Sequence, residues 1–112
     1  MRIPNCDKAK ITNNKIIEYL FSPSHPIGRH KAAFFRKYGF GPTSAGFMIE
    51  QLKEVILNND FTNEINTPYG KKYIITGLIR TPLNEELELT TVWFIEKGEN
   101  TPYFVTAYPK GK

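Results

Sequence analysis

One cysteine, two histidines and one tryptophan among 112 residues remove several kinds of chemistry at the outset. Cys6 has no second thiol, so neither an internal disulfide nor a cysteine-rich zinc site can form. It also lacks an activating neighbour and reads as a terminal bystander rather than a nucleophile. With only His25 and His30, and with carboxylates scattered singly apart from Glu85-Glu86, no cluster has the spacing of metal ligands. No metal or other cofactor is expected. No apolar run approaches the roughly 18 residues of a membrane-spanning helix, and Met1–Lys8 lacks the apolar core of a signal peptide. A soluble, cytoplasmic protein with no membrane partner is the expectation. A glycine-rich phosphate loop and a Gly-x-Ser-x-Gly elbow are both missing, which sets aside P-loop nucleotide hydrolysis and serine hydrolase chemistry.

Acidic residues are scarce in one particular place. Residues 1–56 carry nine Lys/Arg against four Asp/Glu, whereas residues 57–112 carry six against seven, so the net charge of +4 arises as +5 and −1. No Asp or Glu lies between Glu18 and Glu50, and Arg29, Lys31, Arg36 and Lys37 fall within that gap. Such a segment is either a solvated helix face or a patch that attracts phosphate-bearing partners or an acidic protein surface.

What is present is enough for one folded domain spanning 1–112. Hydrophobic residues make up 40% of the chain, with 8 Phe and 6 Tyr, and there is no repeat, linker or low-complexity tract. Residues 1–11 read as an N-terminal tail or short strand. Ile16, Ile17, Leu20 and Phe21 recur at helical spacing after Thr12, which predicts a first helix over 13–21, ended by Pro23. Pro26 introduces a second helix closing at Gly39, and Pro42-Thr43 a third, whose stripe is Phe47, Met48, Leu52, Val55 and Ile56. Beyond residue 60 the period becomes that of strands: Phe61–Thr67, Lys71–Arg80, Leu87–Glu96 and Pro102–Tyr108, separated by short Pro/Gly/Asn turns. Turns this short favour antiparallel neighbours. The expected fold is α+β: three N-terminal helices, then a four-stranded antiparallel meander with the helices packed on one face.

Candidate functional residues are those that break the core pattern. On the wheel of the second helix Lys31 sits among Ile27, Phe34, Phe35 and Tyr38, so either its stem packs while the ammonium reaches water, or the ammonium faces an anion across a cleft. Arg29 and Arg36 lie opposite. His30 lies at the rim of the apolar sector, within reach of the same cleft. His25 precedes Pro26 at the positive helix end beside Arg29 and Lys31, which disfavours the imidazolium and leaves a neutral ring suited to a general base, or to a structural cap. In the third strand Thr91 interrupts the row Leu87, Leu89, Trp93 and Ile95, either to bond a neighbour or to present a hydroxyl. Thr106 and Tyr108 share one side of the last strand, where a tyrosine can stack on a base or bond a phosphate.

The string His25-Pro-Ile-Gly-Arg-His-Lys-Ala-Ala-Phe-Phe35 with Tyr38-Gly-Phe40, Thr67-Pro-Tyr-Gly-Lys-Lys-Tyr73, Thr91-Val-Trp93 and Phe104-Val-Thr-Ala-Tyr-Pro109 resembles the bacterial domain of unknown function numbered 6883. The four blocks match in order over roughly residues 12–109. The resemblance implies a stand-alone small protein or a toxin-like module of no settled activity. Its pattern falls on His25, Arg29, Lys31, Tyr69, Gly70, Lys72, Tyr73, Thr91, Trp93, Thr106 and Tyr108, among others, and His30 lies outside it. In architecture the chain also resembles the superfamily that unites barnase, EndoU, colicin-type tRNA nucleases and the Rel toxins, which are metal-independent ribonucleases; this second likeness is one of fold alone.

Two functions follow as expectations. The first is a metal-independent endoribonuclease, a possible toxin of a toxin–antitoxin or polymorphic toxin system. His25 would be base or acid, Lys31 and Arg29 phosphate stabilisers, and Thr91 and Thr106 positioning donors, with Tyr108, His30, Lys72 and Tyr73 binding substrate. RNA and a neutralising antitoxin or immunity protein would be its partners. The second is a non-catalytic basic module that binds RNA or an acidic protein; a toxin-neutralising protein is less attractive, because those directed against nucleases are more often acidic than basic. Oligomeric state is left open.

Overall fold

The computed structural model describes residues 1–12, 16 and 29–109, with the side chains of residues 29–32 and 42 outside the description. Two α-helices lie among the described residues, α1 (Arg29–Lys37) and α2 (Ala45–Asn58), the latter entered through a short 3-10 turn at Pro42–Ser44. The predicted first helix over 13–21 falls outside the described residues, Ile16 excepted, and Ile16 is fully buried. A 3-10 turn at Cys6–Lys8 precedes these elements.

Four strands follow, β1 (Asn63–Thr67), β2 (Gly70–Arg80), β3 (Glu86–Glu96) and β4 (Tyr103–Pro109), in the spatial order β1-β2-β3-β4 with every pair antiparallel. This is the predicted meander. The predicted N-terminal tail is tied in: Ile3 is buried, and Lys10 pairs with β4 through Lys10 N to Pro102 O at 3.0 Å and Phe104 N to Lys10 O at 2.9 Å. Cys6 is half-buried against the core.

The chain leaves α1 through a left-handed Gly39 with φ of 91°. Phe40 N donates to Phe35 O at 3.1 Å and Gly39 N to Arg36 O at 3.0 Å, the paired bonds that satisfy the last carbonyls of a helix. The accompanying apolar contact is the edge-on pair Phe35–Phe40, with centroids 5.8 Å apart. A Cβ on Gly39 would lie 2.9 Å from Leu83 Cγ in the β2–β3 turn. Replacing Gly39 by Ala is therefore expected to cost about 1–2 kcal/mol of stability, read as a lower urea midpoint, because it adds that clash to the backbone penalty of positive φ.

Alternation along the strands divides the sheet into two faces. The first carries Tyr73, Ile75, Gly77 and Ile79 from β2, Leu87, Leu89, Thr91 and Trp93 from β3, and Phe104 and Ala107 from β4. All of these are buried, and α2 packs over them with Met48, Leu52, Val55 and Ile56. Gly77 permits the approach, since a Cβ there would lie 3.1 Å from Val55 Cγ1. The core therefore lies between α2 and this face.

Candidate functional site

A register shift at Val92/Trp93 decides which residues share the second face, at whose centre Thr90 and Val92 are buried. Trp93 pairs with Phe104 and Val92 with Thr106, so Val105 is an extra residue in β4. By strict alternation Thr106 and Tyr108 would follow Phe104 into the core. The bulge turns both to the opposite side. The second face therefore reads as three rows across β2, β3 and β4: Lys72, Phe94, Tyr103; Ile74, Val92, Thr106; and Thr76, Thr90, Tyr108. Ile65 of β1 extends the first row, opposite Lys72.

These rows combine one cation, three hydroxyl-bearing threonines and three aromatic rings. Thr76 Oγ1 and Thr90 Oγ1 are 3.3 Å apart, so the hydroxyls form a chain across β2 and β3. Thr106 and Tyr108 are half-buried and have bonded or packed neighbours. Lys72 is half-buried and has no ion pair among the described residues, whereas the adjacent Lys71 is 3.7 Å from Glu64 on the other side of the strand.

Three of the sequence-predicted candidates thus meet on one face: Lys72, Thr106 and Tyr108. Two others do not join them. Thr91 is fully buried on the first face, donates to Ile75 O at 2.9 Å and accepts from Trp93 Nε1 at 2.8 Å. Its hydroxyl is spent on holding the indole, and it has no path to a ligand. Tyr73 also lies on the first face, where its hydroxyl donates to Glu64 Oε2 at 2.8 Å. Arg29, His30 and Lys31 form the first turn of α1, but their side chains lie outside the described residues, as does His25. Arg36 is exposed.

Burial, reinforced by the Glu64 carboxylate that accepts its hydrogen bond, pushes Tyr73 up to about 12. The raised value means that the folded state holds the phenol proton more tightly than the unfolded chain. Its contribution to stability is whole below pH 10 and is lost as pH rises toward about 12. Absorbance titration at 295 nm is expected to show a late step that disappears in Tyr73→Phe, and that variant should lose less stability between these pH values than the parent.

Sequence reasoning missed a groove beside the first row. Tyr69, Lys72, Phe94, Glu96, Lys97, Tyr103 and Val105 line a depression of about 530 Å³. Tyr69 stands 79% exposed at the tip of the β1–β2 turn. Tyr69 N donates to Thr67 Oγ1 at 3.1 Å, and Tyr69 O accepts from Lys97 N at 2.9 Å. The rings of Phe94 and Tyr103 are 5.8 Å apart and inclined by 56°. Tyr103 is held above the ordinary tyrosine range by burial and then by the nearby Glu96 carboxylate. The signal available in the sequence was Tyr69-Gly70 within a distinctive block; Phe94 and Tyr103 carried none, since only the register brings them together. Among the described residues no three His, Cys, Asp or Glu side chains gather around a point where an ion would sit, and no helix is long and apolar enough to cross a membrane.

The family model for a domain of unknown function, DUF6883, matches residues 2–111. The chain belongs to this family. A chain of a contact-dependent growth inhibition toxin–immunity protein complex from Klebsiella pneumoniae 342 has the same fold, with a TM-score of 0.70 and 16% identity, over 89% of this chain and 98% of that one. No curated protein matches. Family membership agrees with the four sequence blocks, and the structural likeness extends the shared architecture across nearly the whole of both chains.

Proposed function

We propose that this domain is a toxin-like, metal-independent endoribonuclease whose RNA substrate lies across the second face of the sheet. The observation that carries this reading is the set Lys72, Thr106 and Tyr108, gathered on that face by the bulge at Val105, in a chain whose first half is basic. The structural likeness to a chain of a toxin–immunity complex supports a toxin-like role. On this reading a neutralising immunity protein of acidic character is the natural partner, because it would compete for the same cationic surface.

The chemistry requires a base, an acid and cations. The base takes the proton of a 2′-hydroxyl, the oxygen attacks the adjacent phosphorus, and the bond to the 5′-oxygen breaks as an acid returns a proton to it. The products are a 2′,3′-cyclic phosphate and a 5′-hydroxyl. His25 serves as base or acid, and Lys31 and Arg29 neutralise charge on the phosphorane. Thr106 orients the phosphate, while Lys72 and Tyr108 hold the strand. His30 is at most an accessory contact, and Thr91 and Tyr73 belong to the scaffold. Spending the Thr91 hydroxyl on Trp93 and Ile75 leaves it nothing to give a substrate.

The test is incubation of the protein with a mixed tRNA and mRNA pool in excess chelator, with Lys31→Ala and His25→Ala alongside. Discrete fragments from the parent and none from either variant are expected. Intact RNA in every lane would reduce the domain to a binding module. A milder variant addresses the sheet: Lys72→Ala is expected to raise KM about 5- to 10-fold with little change in kcat, as befits loss of one phosphate contact.

A further inference from the structure

We infer that the groove between Tyr69 and Tyr103 is a nucleobase-binding subsite that holds one unpaired base of a single strand; the inference rests on the RNA reading above. Its volume of about 530 Å³ is within the ~300–1,000 Å³ of small-ligand pockets and suits one nucleotide rather than a helix. Three rings from three separate segments line it, with Tyr69 at a turn tip, Phe94 on β3 and Tyr103 at the start of β4. A flat base finds stacking surfaces on such walls whatever its identity.

The backbone is arranged to keep this space. Gly70 has φ of 146°, and a Cβ there would collide with Ile95 O and lie 2.9 Å from Phe94 Cε2. The absent side chain lets the Phe94 ring lie over the strand beside the groove. Tyr69 is anchored by its backbone on both sides, so its ring is exposed without the whole turn being loose.

The charges select the occupant. Lys72 and Lys97 line the groove with Glu96, so the site offers two cations for the flanking phosphates and a single carboxylate for N–H groups on a base edge. Glu96 is exposed, so its carboxylate oxygens stay available to accept from a base edge. An acidic peptide would suit the lysines but be repelled by Glu96, and an extended apolar segment would leave all three charges unanswered. An unpaired base in a phosphodiester strand answers each of them.

The test uses hexamers of 2′-O-methyl RNA, one for each base, and an abasic hexamer. None has a free 2′-hydroxyl to attack the phosphodiester. Binding is followed by fluorescence anisotropy with the full chain. The parent is expected to bind base-bearing hexamers more tightly than the abasic one. Tyr69→Ala should weaken that binding about 5- to 100-fold, the range for loss of one stacked base, with an unchanged melting temperature because the ring is exposed. Phe94→Leu should weaken it similarly, and Glu96→Gln should alter the order of preference among the four bases. Equal affinity for abasic and base-bearing hexamers, affinities unmoved by Tyr69→Ala and Phe94→Leu, or no binding by the parent would each overturn the subsite. Cleavage of unmodified RNA is measured in parallel. Cleavage without groove-dependent binding sinks the subsite and leaves the ribonuclease reading standing; groove-dependent binding without cleavage does the reverse.

Discussion

Thr91→Val is expected to lower the unfolding free energy by about 2–3 kcal/mol, a large effect for an isosteric change in so small a domain. The substitution keeps the volume but removes the oxygen that accepts from Trp93 Nε1 at 2.8 Å and donates to Ile75 O at 2.9 Å. Trp93 is fully buried, so its N–H finds no water to replace the lost acceptor, and a buried donor without a partner costs about 1–3 kcal/mol. Thr91→Ser retains the hydroxyl and should lose only about 1 kcal/mol through the missing methyl group. Urea unfolding of the three proteins measures this ordering. Trp93 is the single tryptophan, so its fluorescence reports directly on whether the indole has shifted. A Thr91→Val protein as stable as the parent would mean that the hydroxyl is dispensable and would reopen its candidacy as a substrate contact.

The second large effect concerns catalysis. His25→Ala is expected to reduce RNA cleavage about 10²- to 10⁴-fold, the usual contribution of a positioned acid or base, with binding of uncleavable RNA changed no more than 2- to 3-fold. Lys31→Ala should reduce cleavage about 10²-fold or more, as for other groups that meet charge developing in a transition state. The two variants separate by pH. Removing an acid or base changes the shape of the pH–rate profile, whereas removing a phosphate stabiliser lowers it without altering its limbs. A His25→Ala protein that cleaves normally would move the proton transfers to other side chains.

The meander was legible because β-rich runs bounded by Pro, Gly and Asn leave little freedom in pairing: Thr67-Pro-Tyr-Gly70 and Lys97-Gly-Glu-Asn100 announce their turns. The end of α1 was legible for the same reason, since Gly39 alone tolerates the left-handed step. Thr91 was legible as an anomaly but not in its meaning, because its partners Ile75 and Trp93 are fixed by register and rotamer. The bulge was not legible at all. Val105 is an ordinary strand residue, and only the pairing of Val92 with Thr106 and of Trp93 with Phe104 reveals that it is extra. That one residue sends Thr106 and Tyr108 to the face shared with Lys72. The groove was hidden for a related reason: Tyr69 sits in a turn, Phe94 and Tyr103 lie on different strands, and none breaks its local pattern.

The proposed reaction is attack of a 2′-hydroxyl on its neighbouring phosphate. Its most direct test is the chemistry of the ends produced from a synthetic RNA carrying the cleaved sequence, with and without a 2′-deoxy nucleotide on the 5′ side of the cut. A 2′,3′-cyclic phosphate and a 5′-hydroxyl are expected, undiminished by chelator, with no cut where the 2′-hydroxyl is missing. Uncut RNA, or fragments ending in a 3′-hydroxyl and a 5′-phosphate, would contradict it.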